Sequence, residues 1–190
     1  MSKTTGYVVS VHVGTREDMS KQTAARVEVA QDGFAGDNHQ GFTRIAYAGD
    51  KDPQGTERRN ERQWSGVSAE ELAQISADLH LSKQLSAEDV GANLCVSGIE
   101  GFSALPRGTR LAFSSGAVLA IEEYNPPCMD MGEKLAGLYA TTNDEGFAPR
   151  DFVMAARLSR GVVGVVEVPG AISETDSVVV ELPWEPFAAG

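Results

Sequence analysis

Apolar residues along this chain occur in short runs, and several of these runs alternate with polar positions. Val11 and Val13, for example, flank His12, so alternate side chains share one face of an extended segment. Glycine, proline and small polar residues separate the runs, as is typical of strands joined by turns. The pattern predicts strands at residues 7–13, 26–29, 63–67, 94–96, 109–113, 117–123, 161–168 and 177–182.

One segment has helical spacing instead. Leu72, Ile75 and Leu79 share a helix face. Ser68 and Glu71 precede them as a capping box, in which the serine hydroxyl accepts from the Glu71 amide and the glutamate carboxylate bonds back to the Ser68 amide. Residues 130–138 and 152–158 predict two further helical segments, residues 33–41 a glycine-punctuated loop, and residues 49–59 a polar, mobile stretch.

The succession of short strands predicts a mainly β fold. Residues 109–113 and 117–123 are expected to pair as a hairpin across Ser114-Ser115-Gly116. A chain of 190 residues that is 42% hydrophobic can bury the core of one domain, and no repeat or linker divides residues 1–190. We therefore expect a single domain, a closed or partly open β-barrel with a few short accessory helices.

Charge limits the kinds of ligand. The net charge is −11, which argues against a nucleic-acid-binding face. Positive charge concentrates in two groups that suit a small anionic ligand, although solvated surface or structural ion pairs would explain each group singly. The groups are Arg58, Arg59 and Arg62, and Arg150, Arg157 and Arg160.

Cysteine usage indicates a reducing compartment. The chain has two cysteines without a Cys-x-x-Cys pair, and its first residues lack the apolar core of a secretory signal. No run approaches the roughly 20 apolar residues of a membrane span. We expect a cytoplasmic protein without a membrane segment. Cys95 lies within a predicted strand and is expected in the core, and the cysteines and histidines show no zinc-ligand spacing.

Cys128 is different because it ends the stiff turn Asn125-Pro126-Pro127-Cys128. Two consecutive prolines fix φ and remove two backbone donors, so the preceding strand cannot simply continue and a helix cannot begin before Cys128. Two interpretations are open from these residues alone. The thiol is either a small buried structural group or a rigidly placed reactive one.

Five motifs in order resemble the MOSC family, which is named for the C-terminal domain of molybdenum cofactor sulfurase. A closing Arg160-Gly161 pair followed by a β run and Pro169-Gly170-Ala171-Ile172 adds to the resemblance, which is strongest over residues 26–182. The five motifs are Gly36-Asp37-Asn38-His39-Gln40-Gly41, residues 62–71 (RQWSGVSAEE), residues 91–98 (GANLCVSG), residues 105–111 (LPRGTRL) and Pro127-Cys128.

The resemblance implies a β-barrel in which the cysteine after proline is the functional thiol. The first function it implies is binding of the molybdenum cofactor, molybdopterin, with Cys128 as the thiolate ligand of molybdenum. Such a protein would reduce N-hydroxylated compounds with electrons from an external donor. The alternative is a sulfur carrier, in which Cys128 accepts a persulfide from a pyridoxal-phosphate-dependent cysteine desulfurase for metal-sulfur cofactor assembly. A third interpretation is a small-molecule binding barrel without chemistry.

Six further residues are candidates for cofactor binding. Asp37 and His39 lie on the glycine-rich loop, where backbone amides can approach an anion. Asn93 lies in an Asn-x-x-Val-x-Gly context that contacts the pterin phosphate region in relatives, although a turn-forming asparagine would look the same. Arg62, Arg157 and Arg160 offer guanidinium groups matched to phosphate.

The chain departs from the family's pattern in two places. Gly91-Ala92 precedes Asn93 where many members carry an acidic residue, and residues 49–60 form an insertion without a counterpart.

Overall fold

Seven strands close into a barrel in the computed structural model, which describes residues 4–14 and 18–183. The barrel order is β13-β9-β10-β11-β7-β8-β1, closed by pairing of β1 with β13, and β2 flanks β1. The strands are β1 Thr4–Val13, β2 Gln22–Ala24, β3 Arg26–Ala30, β4 Gly33–Phe34, β5 Thr43–Ile45, β6 Glu57–Arg59, β7 Trp64–Ser68, β8 Leu94–Ser97, β9 Arg110–Phe113, β10 Val118–Tyr124, β11 Val162–Val168, β12 Gly170–Ser173 and β13 Ser177–Glu181.

Two small sheets and three α-helices surround the barrel. Strands β12, β3 and β4 form one sheet, and β5 and β6 form a hairpin. The helices are α1 Ala69–Asp78, α2 Met129–Leu138 and α3 Pro149–Ala155, with a 3-10 turn at Phe102–Ala104. The prediction of a mainly β barrel with short helices is therefore confirmed, and the barrel is closed. In the described part of the chain, no helix is both long and apolar enough to cross a bilayer.

Most barrel neighbours are antiparallel, but β7 and β8 are parallel. Helix α1 lies between them in sequence, which supplies the crossover that a parallel pair needs. The predicted hairpin of residues 109–113 and 117–123 is present as β9 and β10, with Leu119 paired to Leu111. The helix predicted at residues 152–158 begins earlier and ends earlier, at Pro149–Ala155.

The predicted capping box is half right. Ser68 is the N-cap of α1, and its hydroxyl accepts from the Glu71 amide at 3.3 Å. The Glu71 carboxylate does not return to Ser68, because it bonds the amide and hydroxyl of Ser103 at 3.0 and 2.6 Å. Because the 3-10 turn lies against the start of α1, Glu71 bonds Ser103 rather than the Ser68 amide.

Two apolar cores lie on opposite faces of the barrel wall. Leu94 and Val96 point into the barrel core, while Cys95 between them packs with the helices outside. Cys95 is 4% exposed, so its predicted place in the core is confirmed. Burial raises the pKa of the Cys95 thiol to about 11, so it stays protonated at neutral pH.

Candidate anion and cofactor site

A cavity of about 670 Å³ lies against the outside of the barrel. None of the residues that fill the barrel core lines it, although Val90 and Met131 of the outer core do. Its walls come from segments far apart in sequence, so closure of the barrel brings them together. The lining segments are residues 19–21, 38–39, 47–49, 62, 65, 90–91, 125–128, 130–131, 160 and 163.

Cys128 lies at the exposed edge of this cavity, at the N-cap of α2. The helix begins at the next residue, Met129, and the Gly132 amide donates to the Cys128 carbonyl at 3.1 Å. The two preceding prolines stop the helix from beginning sooner. The thiol is therefore accessible and fixed on a rigid backbone, which excludes the interpretation of Cys128 as a buried structural group.

Arg160 supplies a buried positive charge to the same cavity. The residue is 6% exposed, and its Nη2 donates to the Val90 carbonyl. Within the described part of the chain, Nη1 has no hydrogen-bond partner. Burial lowers the pKa of the Arg160 guanidinium to about 10, with Cys128 opposing this shift and Arg62 adding to it. The group therefore stays charged at neutral pH. Buried charges in proteins are normally paired, which makes the Arg160 guanidinium a candidate group for binding an anion.

Arg62 is a second guanidinium at the cavity, and it is half-buried. Its Nη2 donates to Asn125 Oδ1 at 2.8 Å, which links it to the turn that carries Cys128. Among the residues described, neither Arg62 nor Arg160 forms an ion pair with a carboxylate. The cavity therefore contains two guanidinium groups without an ion-pair partner in the described chain, and Asp130 is a carboxylate residue in its lining.

Asp37 organises the wall beneath the cavity. Its Oδ2 accepts from the Gly14 amide at 2.9 Å, Lys21 Nζ at 2.5 Å and Asn93 Nδ2 at 2.8 Å. Its Oδ1 accepts from the His39 amide at 2.9 Å and lies 3.1 Å from His39 Nδ1. Burial alone would raise the pKa of Asp37, but the bonds from His39 and the charge of Lys21 hold it well below its usual range.

Asn93 supports the same wall from behind. It is fully buried, and its Oδ1 accepts from the Ser65 amide at 3.1 Å while Nδ2 donates to the His12 carbonyl at 3.2 Å. Asn93 and Asp37 are not among the lining residues. They position neighbours that are, namely Lys21, His39 and Ser65.

The structure brings together four of the seven residues that the sequence proposed. Cys128, His39, Arg62 and Arg160 line the cavity, whereas Asp37 and Asn93 lie behind its wall. Arg157 is exposed just after α3 and is not among the lining residues, so a ligand contact for it stays a prediction.

Sequence reasoning missed two parts of the site. Lys21 is a buried lysine whose partner, Asp37, is 16 positions away, and nothing near it in sequence indicates burial. The polar insertion predicted at residues 49–60 includes Gly49 but not Tyr47 or Ala48, yet all three residues form part of the cavity wall. The bond from Arg62 to Asn125 was not predicted either. Asn125 lies in the proline turn that the sequence singled out, and its side-chain oxygen can accept a hydrogen bond from an arginine.

The donor set fits an anionic cofactor better than a bare metal ion. In the described ranges, no group of three or more histidine, cysteine, aspartate or glutamate side chains could hold a metal. Cys128 would thus be a single soft ligand to a metal that brings its other ligands with it. The unpartnered Arg160 Nη1 and the neighbouring Arg62 match the negative charge of such a carrier.

Fold and site together define a small β-barrel protein with an exposed cysteine at a cavity beside the barrel. The chain belongs to the MOSC family, because the family's domain model matches residues 37–179. The expected family membership is confirmed.

Individual relatives agree with this assignment. YuaD of Bacillus subtilis (strain 168), whose name associates it with metal-sulfur cluster biosynthesis, is 38% identical over 151 residues, which is 78% of this chain and 76% of YuaD. The crystal structure of Bacillus subtilis YuaD superposes with a TM-score of 0.89 at 30% identity, covering 96% of this chain and 99% of that one. YiiM from Geobacillus stearothermophilus shares the fold alone, with a TM-score of 0.60 at 15% identity and coverage of 93% and 75%.

Proposed function

We propose that this protein binds a molybdopterin-type molybdenum cofactor in the cavity beside the barrel, with Cys128 as the thiolate ligand of the metal. The observation that carries the proposal is the buried, unpartnered Nη1 of Arg160 in a cavity that also contains Cys128. When bound, the cofactor would supply a redox-active, thiophilic metal centre. Membership of the MOSC family supports the same cofactor class.

Charge is the first argument for this ligand. A protein with a net charge of −11 repels anions in general, so retaining two unpaired guanidinium groups in one cavity needs a reason. An arginine fork can bond two oxygens of a phosphate at once. Arg160 and Arg62 would hold the phosphate-bearing part of the cofactor and keep it oriented.

Position is the second argument. Cys128 is exposed while Arg160 is buried, so the thiol stands at the mouth of the cavity and the guanidinium lies deeper. A ligand that satisfies both must carry an anionic end and a thiophilic end. The reduction of N-hydroxylated compounds, and the external electron donor that it requires, remain predictions that follow from the family resemblance.

The test is metal analysis of protein purified from a molybdenum-replete host that makes the cofactor. We expect close to one molybdenum per chain in the wild type and its loss in Cys128→Ala. The matched control is Cys95→Ala, which removes the other thiol from the outer core rather than from the cavity and should retain the metal.

A sulfur carrier is the second candidate, and the exposure of Cys128 favours it. A partner desulfurase can present a cysteine persulfide only to an accessible thiol. The Cys128 thiolate would attack the outer sulfur of that persulfide, forming a new S–S bond as the partner's S–S bond breaks and its cysteine leaves as a thiolate. No net oxidation occurs. The name of YuaD, which refers to metal-sulfur cluster biosynthesis, is consistent with such a role.

The same preparations separate the candidates. If molybdenum is absent but a cysteine desulfurase with labelled cysteine loads sulfur onto Cys128 and not onto Cys128→Ala, the carrier function replaces cofactor binding. If the substitution alters neither metal content nor sulfur loading, both functions are wrong.

A further inference from the structure

Gly161, the residue after Arg160, has a backbone conformation that helps to fix the position of the Arg160 backbone. Gly161 has φ +97°, in the left-handed region that favours glycine. A Cβ atom built there would lie 2.0 Å from the Gly66 carbonyl oxygen of β7. The chain therefore makes a sharp turn pressed against the barrel, just before β11 begins at Val162.

A hydrogen-bond network of buried Ser103 and half-buried Glu71 holds this turn. The Gly161 amide donates to Ser103 Oγ at 2.7 Å, and that hydroxyl donates to Glu71 Oε2 at 2.6 Å. The other carboxylate oxygen of Glu71 accepts from the Ser103 amide at 3.0 Å. Neither Ser103 nor Glu71 lines the cavity.

The turn at Gly161 is also bonded to the segment that carries Cys128. The Asn125 amide donates to the Gly161 carbonyl at 2.9 Å, and Asn125 is the first residue of the turn that ends at Cys128. Arg160 is thus fixed at both ends: its backbone through Gly161, and its guanidinium through the bond from Nη2 to the Val90 carbonyl. Only Nη1 is left without a partner in the described chain.

We propose that Glu71 and Ser103 are positioning residues that act through Gly161 to hold the Arg160 guanidinium beside Cys128, and so set the affinity of the cavity for anions. The inference rests on the proposed function, because it explains how residues outside the cavity position the Arg160 guanidinium that would bind the anion. The sequence predicted that the Glu71 carboxylate would cap α1, but that carboxylate bonds Ser103 instead.

The experiment compares two alkylating reagents of similar size at Cys128, iodoacetate with a negative charge and iodoacetamide without one. Mass spectrometry of the Cys128 peptide gives both rate constants. The rate constant for iodoacetate divided by that for iodoacetamide rises with the positive charge near the thiol, and this quotient is the ratio compared below. A variant that merely loosens the protein changes both rates together and leaves the ratio unaltered. We expect Arg160→Ala to lower the ratio about threefold and Ser103→Ala to lower it about twofold.

Ser76→Ala is the matched control. Ser76 is also buried, and its hydroxyl also accepts a backbone amide, that of Leu85 at 2.9 Å, while donating to the Leu72 carbonyl at 2.6 Å. Its substitution should leave the ratio at the wild-type value. Ser103→Thr keeps the hydroxyl and should restore the ratio. If Ser103→Ala does not fold, Glu71→Gln tests the same network and should lower the ratio.

The outcomes separate this inference from the function it rests on. A ratio that falls in Arg160→Ala but stays at the wild-type value in Ser103→Ala and Glu71→Gln overturns the positioning role and leaves the anion site standing. A ratio that does not respond to Arg160→Ala overturns the anion site itself.

Discussion

At the scale of single residues, Lys21 and Asp37 form a buried ion pair near the cavity, which costs desolvation free energy. Their side chains are 2% and 0% exposed, and their charged atoms lie 2.5 Å apart. Burial lowers the pKa of Lys21 even though Asp37 opposes the shift, whereas the pKa of Asp37 is held down by its hydrogen bonds. Each charge is tolerated in the interior because the other is present.

Removing the carboxylate should therefore destabilise the protein strongly. Asp37→Asn leaves the Lys21 ammonium buried without its counter-charge, and we expect the free energy of unfolding to fall by about 3–5 kcal/mol. Urea unfolding followed by circular dichroism measures this.

The control for that substitution is an ion pair of similar length at the surface. Arg26 and Glu28 pair at 2.9 Å, with side chains 63% and 65% exposed, and Glu28→Gln should change the unfolding free energy by less than about 1 kcal/mol. Similar losses in the two variants would contradict the structural role assigned to Asp37.

Site residues with distinctive neighbours in the sequence could be predicted, whereas residues whose role depends on contacts with distant segments could not. Cys128 could be singled out because two prolines precede it, and Arg160 because a glycine follows it. The burial of Lys21 could not be predicted, because its partner comes from another loop. Asn93 was predicted to contact the cofactor, but its amide bonds Ser65 and Asp37 behind the cavity wall, and a ligand contact for it stays a prediction.

At the scale of elements, the hairpin of β5 and β6 carries a dense set of ion pairs. Arg44 pairs with Asp50 at 2.5 Å and with Glu61 at 2.6 Å, and Arg58 pairs with both carboxylates as well. Further pairs join the hairpin region to β10, between Lys51 and Glu123 and between Arg59 and Glu122. The loop of this hairpin supplies Tyr47, Ala48 and Gly49 to the cavity.

This hairpin should lose its order in acid. The hydrogen bond from Arg44 is the main cause that lowers the pKa of Asp50, to about 2 from an ordinary 3.8. Burial would raise the pKa of Glu61, but Arg44 keeps it below its ordinary 4.5. Carboxylates with lowered pKa values stabilise the folded state fully above their ordinary pKa values, and that stabilisation is lost as pH falls through the lowered ones.

Hydrogen exchange measured from pH 6 to pH 2.5, corrected for intrinsic rates, provides the check. We expect protection of residues 43–59 to decrease between about pH 5 and pH 2.5 while protection of β8, which carries no titratable carboxylate, persists. Unchanged protection of the hairpin at pH 2.5 would show that the ion pairs do not hold it.

The sequence predicted a polar, mobile stretch at residues 49–59, whereas the structure places strand β6 at its end. Charged residues without apolar periodicity look like a solvated loop, because the ion pairs that organise them depend on which carboxylates approach which guanidinium groups. The strands were easier to predict, since β-branched runs such as residues 162–168 are apolar on both faces of the barrel wall.

At the scale of the whole molecule, the pairing of β1 with β13 closes the barrel. Thr4 to Tyr7 pair with Val180 to Ser177, which joins the first and last strands of the described chain. Val178 is fully buried in the barrel core, whereas its neighbour Val179 is half-buried on the other face. This alternation is what a closed sheet with a filled interior requires.

A nearly isosteric substitution tests which face is inside. Val178→Thr places a hydroxyl in the apolar barrel core and should lower the free energy of unfolding by about 1–3 kcal/mol. Val179→Thr makes the same chemical change on the outer face and should cost less than about 0.5 kcal/mol. Equal losses in urea unfolding would contradict the assignment of the two faces.

The order of strands around the barrel was beyond the sequence. Alternation and turn residues predicted eight strands, the seven of the barrel and β3, but not the short strands β2, β4, β5, β6 and β12 of the described chain. The helix at residues 69–78 fits the crossover between β7 and β8. Neither signal shows that β11 pairs with β7, because such long-range choices depend on how all the apolar faces are buried together.

The separation of the cavity from the barrel core has a consequence for protein engineering. The barrel core is apolar and closed, whereas residues 47–49 of the cavity wall belong to the loop between β5 and β6 outside it. Residues 47–49 can be exchanged to change which molecules enter, without repacking a single side chain of the barrel core. A scaffold of this kind allows new specificities to be selected on a constant frame.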